Sequence, residues 1–279
     1  MKVRCWGARG SIPVSGPEYD RYGGDTPCLE IRGADGQVLV VDAGSGIRKL
    51  GNQLQREGIK RLTLLFTHSH WDHIIGFPFF KPLYDPSVHI TLGGCPAFQG
   101  EMTKVLGLAM RGPLFPVTFD QLAARIEPFS WCEEEYRLGG VRITRIALSH
   151  PNMGAGYRFE ENGRSVVFLT DNELSHHHHG GRSFEEYVAF CQGADLLIHD
   201  AEYLPEEYPD KKGWGHSHYE DAARLAKEAG VKALGLYHHN QDRTDEGMDR
   251  LLERCRAFLA SPGHVPECLA LTQSSEFEF

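Results

Sequence analysis

The stretch LLFTHSHWDHIIG, residues 64–76, places four metal-capable side chains within six positions: His68, His70, Asp72 and His73. Imidazole and carboxylate are the donors that borderline divalent metals such as zinc favour. A chance H-x-H-x-D-H is expected on the order of once in several hundred chains of this composition. A metal site is therefore the first expectation. One loop cannot complete such a site, so the remaining donors must come from elsewhere in the chain.

The elements that would position them are legible as strand-like runs. QVLVVD (37–42), LTLLFT (62–67), VRITRIAL (141–148), SVVFLT (165–170), LLIHD (196–200) and ALGLY (233–237) read as short buried strands. Each runs into a His or an Asp: Asp42 in a DAGSG turn, the histidine loop, His150, Asp171, Asp200, and the pair His238 and His239. Strand ends are where a rigid scaffold presents functional side chains. An Asp there is commonly an Asx turn or a cap, so Asp42 or Asp200 alone would carry little weight. Five such ends beside the histidine motif carry a good deal more.

Between the strands, IRKLGNQLQRE and DEGMDRLLERCRAFL after Thr244 read as helices. A third is expected from Ser217 as N-cap with Glu220 three residues on, through DAARLAKEA, to Gly230 as its stop. The N-terminal MKVRCWGARG reads as the first strand and lacks an apolar signal core. Interleaved strands and helices indicate an α/β protein with helices covering sheets. With no Pro/Ser-rich linker, one compact unit over residues 1–279 is expected.

Composition narrows the function. A formal charge of −9 disfavours a protein that coats extended nucleic acid, which calls for a basic face. No run approaches the roughly 20 apolar residues of a membrane span. The seven cysteines (5, 28, 95, 132, 191, 255 and 268) are odd in number and without C-x-x-C spacing. They read as reduced thiols of a cytoplasmic protein.

The motif THSHWDH, with LSH150, FLTD171 and LYH238 downstream, resembles the metallo-β-lactamase superfamily. The resemblance runs from residue 42 to 238. It implies a four-layer αββα sandwich with a dinuclear metal site at one edge of two sheets. On that resemblance one metal takes His68, His70 and His150, the other Asp72, His73 and His238, and Asp171 bridges them. Asp42 then supports the histidine loop. The segment GHSHYEDAARLAKEAGVKALGLYHH is similar to the branch of tRNA 3′-processing endonucleases and cyclic-phosphate phosphodiesterases, and CWGARGSIPVSGPEYDRYGGDTPCLEIR to bacterial phosphodiesterase-like hydrolases of that branch. The resemblance makes His216 an acid paired with Asp200 and makes a homodimer the expected assembly. No basic insertion resembles the arm that grips tRNA.

The expected function is a hydrolase of small or cyclic nucleotide-like phosphodiesters, acting through a metal-bridged hydroxide. Two divalent ions, zinc first with manganese or iron as alternatives, would supply the nucleophile and neutralise charge on phosphoryl oxygens. His216 would protonate the leaving alkoxide, and Asp72 would steer the proton of the nucleophile as well as bind metal. A thioesterase of the glyoxalase II kind is the runner-up, because a thiolate scarcely needs an acid. A metal-binding module without catalysis is the third reading. Of the remaining features, GLAMRGPLFPVTF (107–119) reads first as ordinary packing, with a lid over the metals or a dimer contact as the alternatives. GARGS and YGGDT could offer N–H groups to phosphate, and the four histidines 176–179 read as a solvated loop.

Overall fold

The computed structural model describes residues 1–94, 101–131, 135–260 and 262–279. The first sheet is built from β1 (Lys2–Gly7), β2 (Cys28–Arg32), β3 (Val38–Val41), β4 (Arg61–Leu65), β5 (His89–Gly94), β6 (Arg125–Ser130) and β14 (Glu276–Glu278), in the order β14-β1-β2-β3-β4-β5-β6. The second contains β7 (Glu135–Leu138), β8 (Val141–Ala147), β9 (Ala155–Glu161), β10 (Arg164–Leu169), β11 (Leu196–Asp200), β12 (Ala233–Tyr237) and β13 (Glu267–Ala270), in the order β13-β12-β11-β10-β9-β8-β7. The helices are α1 (Ile47–Glu57), α2 (Trp71–Ile74), α3 (Met102–Ala109), α4 (Phe184–Cys191), α5 (Tyr219–Glu228) and α6 (Asp245–Leu259).

Period-2 alternation sorts side chains into layers. In β3, Leu39 and Val41 face the second sheet while Val38 and Val40 pack with Ile47, Leu50 and Leu54 of α1. In β10 and β11, Val166, Phe168, Leu196 and Ile198 enter the space between the sheets. Val167, Leu169 and Leu197 turn outward to Tyr187, Leu225 and Leu251 of α4, α5 and α6. The result is an αββα sandwich with three apolar layers, as the sequence implies.

Strand direction explains why the donors meet. β3, β4, β5 and β6 are parallel to one another, as are β10, β11, β12 and β13. β8 and β10 are each antiparallel to β9, so they run the same way. The carboxyl ends of β3, β4, β8, β10, β11 and β12 therefore present their loops along one edge of each sheet.

One expectation is refined. The α5 N-cap is His218 rather than Ser217, and it makes no side-chain cap bond. The Ser217 hydroxyl instead donates to Asn172 O at 2.6 Å and accepts from Leu174 N at 3.0 Å. No disulfide joins the described cysteines: Cys5, Cys28, Cys191, Cys255 and Cys268 are free and buried, and Cys95 and Cys132 lie outside the described residues. No helix among the described residues is long and apolar enough to cross a membrane.

One buried carboxylate ties three parallel strands at the end remote from these loops. Asp195, just before β11, accepts from Ser165 N at 2.8 Å, Arg164 Nη1 at 2.9 Å and Lys232 Nζ at 2.7 Å. Burial opposes its charge, but Lys232, the Ser165 amide and Arg164 outweigh that and hold its pKa below the ordinary value. A depressed folded-state pKa adds stability above the ordinary Asp value of about 3.9. That stability is lost as pH falls through the folded-state value. Asp195→Ala should cost about 1–3 kcal/mol in urea unfolding at pH 7. It should also flatten the loss of stability on acidification below about pH 4; an acid limb as steep as wild type would show that Asp195 is not among its causes.

Candidate metal centre

The loop after β4 begins with Thr67, whose N–H and hydroxyl donate to Asp42 Oδ1 and Oδ2 at 2.7 and 2.8 Å. His73 Nδ1 donates to Asp42 Oδ2 at 2.8 Å, so its Nε2 is turned toward the cluster. This carboxylate–imidazole contact sets the tautomer and the ring plane. Asp42, Asp171 and His238 all take positive φ, at 64°, 58° and 54°. Strand ends bent into the left-handed region by residues other than glycine are strained, and such strain collects at functional sites.

Three groups of ligand-capable side chains result: two share Asp171, and the third joins Glu202, His216 and His238. Ligand-capable atoms of His68, His70, His150 and Asp171 lie within 4.8 Å of one another, and so do those of Asp72, His73, Asp171 and His238. Asp171 belongs to both: Oδ1 is 3.3 Å from His73 Nε2, and Oδ2 is 3.5 Å from His68 Nε2 and 3.4 Å from His238 Nε2. His150 donates from Nδ1 to Gly215 O at 2.9 Å, leaving its Nε2 toward the set. Between the two neighbouring histidines, His238 faces the cluster. His239 turns away, with Nε2 on Leu271 O at 2.7 Å.

The donors fit divalent metal. His68 Nε2 and His73 Nε2 are buried without a hydrogen-bond partner, a costly state that a metal ion at the centre would relieve. Burial holds His68 well below the ordinary imidazole pKa and takes His150 down to about 3. Both offer neutral rings, the state coordination requires. Burial opposes ionisation of Asp72 and Asp171, but charged His73 and His238 override it and hold both well below the usual carboxylate range. The same carboxylates, against the cost of burial, raise His73 and His238 well above theirs. Protons and cations thus compete for one negative pocket.

His216 is buried beside the second set. Its Nε2 is 3.5 Å from Glu202 Oε2, and its Nδ1 is 3.6 Å from Asp200 Oδ2 and 3.9 Å from Asp171 Oδ2. Burial opposes its charge, but Glu202 and then Asp200 raise its pKa to about 9. The contact with Asp200 is longer than a hydrogen bond. The Asp200 oxygens accept from Asn172 N at 3.1 Å and Ser217 N at 2.9 Å, which pins the segment carrying His216.

Sequence reasoning missed two carboxylates. Glu202 accepts from His238 Nδ1 at 2.9 Å and Asn240 Nδ2 at 3.0 Å. Glu173 accepts from Gly213 N, Gly215 N and the Tyr208 hydroxyl, each at 2.7 Å, and pairs with His178 Nε2 at 2.7 Å. It thereby anchors Gly215 through its N–H, while the Gly215 carbonyl accepts from His150. Gly215, at φ +96°, has no room for a Cβ, which would stand 2.1 Å from His150 Nδ1. The available signal was an acid two residues past a strand-end Asp, 171 to 173 and 200 to 202. The four-histidine run is divided: His177 and His179 are exposed, and His178 is drawn against Glu173. In the GARGS turn, the Ser11 N–H is spent on Asp72 Oδ2 at 2.9 Å and not held free for phosphate.

Comparison with known proteins bears on the family and the fold. Ribonuclease Z of Metallosphaera sedula is 25% identical over 309 residues, covering 97% of this chain and 98% of the relative. The metallo-β-lactamase fold protein YhfI of Bacillus subtilis superposes with a TM-score of 0.72 at 19% identity, covering 100% of this chain and 99% of that one. A diphosphatase of the PhnP family superposes with a TM-score of 0.69 at 21% identity, covering 100% and 97%. These two structures share the fold. Residues 37–239, which include both donor sets, match the family described as the Beta-lactamase superfamily domain, and the chain belongs to that family of metal-dependent hydrolases.

Proposed function

We propose that the protein is a dinuclear metal-dependent phosphodiesterase acting on a small or cyclic nucleotide-like diester. The observation that carries this reading is the sharing of Asp171 by two donor sets with His216 beside it. Zinc is the first choice of metal for such His/Asp donors, ahead of manganese or iron. Two divalent ions, when bound, lower the pKa of attacking water and neutralise charge on the phosphoryl oxygens.

The protein's own part is positioning and proton transfer. His68, His70, His150 and Asp171 would hold one ion, and Asp72, His73, His238 and Asp171 the other. Asp72, fixed by the Ser11 N–H, holds the proton of the attacking water. His216, kept charged by Glu202 and Asp200, gives its proton to the leaving alkoxide oxygen. Asp200 acts mainly by anchoring Ser217 next to it. An alkoxide needs that acid and a thiolate does not, which favours a diester over a thioester.

The ribonuclease name of the relatives supports a second reading, in which the diester is an RNA linkage. The deciding experiment compares bis(p-nitrophenyl) phosphate, a 2′,3′-cyclic nucleotide, a 3′-extended tRNA transcript and S-lactoylglutathione on zinc- or manganese-loaded protein. Turnover of the small diesters supports the first reading, transcript cleavage alone the second, and thioester turnover alone overturns both.

His68→Ala and Asp171→Ala should lose metal and activity together, measured by elemental analysis and diester hydrolysis. His216→Ala should lower kcat by about 10²–10⁴ with metal content unchanged. Asp200→Ala should also lose turnover and keep its metal; metal loss in either of these two would place them among the ligands. Glu202→Gln should weaken metal binding about 10–100-fold in chelator competition through the loosened His238 ring. Unchanged affinity would remove Glu202 from the support of the site.

A further inference from the structure

The metal loop has an apolar flank that the chemistry above does not use. A groove of about 230 Å³ is walled by Trp71 and Ile74 of α2 and by Val105, Leu108 and Leu114 of α3 and the segment after it. Ser69, between His68 and His70, also lines it, and no charged side chain does so among the described residues. Trp71, Leu108 and Leu114 are 59%, 52% and 66% exposed. Apolar side chains left in water around a concavity mark a place where something binds.

Two further observations bear on the occupant. Trp71 stands in the chain between His70 and Asp72, one from each donor set, and Ser69 between His68 and His70, so one wall of the groove is the loop that carries the donors. The exposed Trp214, also near the centre in sequence, already carries Lys211 Nζ 4.3 Å from its ring centroid. The indole of Trp71 has no cation or ring on it among the described residues. An open indole with leucines opposite suits an uncharged planar ring.

We infer that this groove binds the ring-bearing substituent of the substrate, the ester arm that extends from a phosphoryl group held at the metals. The inference rests on the phosphodiesterase reading and adds a preference for aryl or base-bearing diesters over alkyl ones. Leu108 and Leu114 set that preference, and the sequence segment 107–119 acquires a use beyond packing.

The test uses the metal-loaded full chain. Bis(p-nitrophenyl) phosphate and methyl p-nitrophenyl phosphate share a leaving group and differ in the retained arm. The ratio of their kcat/KM values should fall about five-fold or more in Leu108→Ser and Leu114→Ser, through KM for the aryl diester. Both leucines are more than half exposed, so the substitutions disturb little packing. In a Trp214→Phe background, phenylphosphonate should quench tryptophan fluorescence and bind about ten-fold tighter than methylphosphonate, and Leu114→Ser should close that gap. Equal binding of the two phosphonates, or ratios unchanged in both leucine variants, overturns the inference. So does a shift from dimer to monomer on gel filtration with the ratios intact, which would make the face a subunit contact. Failure to hydrolyse either diester would sink the phosphodiesterase reading instead, and the phosphonate comparison would still decide the groove.

Discussion

The structure depends on one constraint: Asp171 must serve two sets of donors at once while buried. A carboxylate out of water is expensive unless its oxygens are engaged. Here both oxygens face imidazole nitrogens from the ends of two strands in different sheets, β4 and β12, at 3.3–3.5 Å from His73, His68 and His238. The geometry tolerates no displacement of one strand end alone, because each histidine is answered by the same carboxylate. Two parallel half-sheets whose carboxyl ends meet at one edge provide that convergence, and the αββα layering holds them there.

Around this centre lies a shell of carboxylates and peptides that aim the imidazoles. Asp42 turns His73, Glu202 turns His238, and the Gly215 carbonyl turns His150. Glu173 anchors Gly215 through its N–H in turn, so His150 is oriented through two relays rather than one. Ring orientation matters as much as ring position, since a histidine binds metal through one lone pair in its plane. The left-handed turns at Asp42, Asp171 and His238 store strain that these contacts offset.

The rim divides by chemistry. On one side His216 sits among Glu202, Asp200 and Asp171, a charged face suited to proton transfer. Beside the loop that carries His68 and His70, Trp71, Leu108 and Leu114 line an apolar groove. A substrate with an anionic centre between two unlike arms would find each arm a different environment. The chain can carry an overall charge of −9 and still attract an anion, because bound cations dominate the local field.

The sequence by itself determined which side chains could do chemistry and the strands that end in them. His68, His70, Asp72 and His73 are local, packed into one loop, and short apolar runs located β3, β4, β8, β10, β11 and β12. Helix α1 was read at its observed bounds for the same reason: its apolar positions lie within one turn of each other. Strands such as β2, β5 and β9 were missed because their alternation is weak and their pairing is nonlocal. The resemblance named His238, and the tertiary structure gives the physical reason: adjacent residues point to opposite sides, and His239 turns to Leu271 O. Only the tertiary structure decided that Ser217 serves the Asn172–Leu174 loop instead of capping α5. Glu173 and Glu202 gained their partners from segments as many as 42 residues away. A carboxylate's partners across such distances are set by packing, which local pattern does not encode.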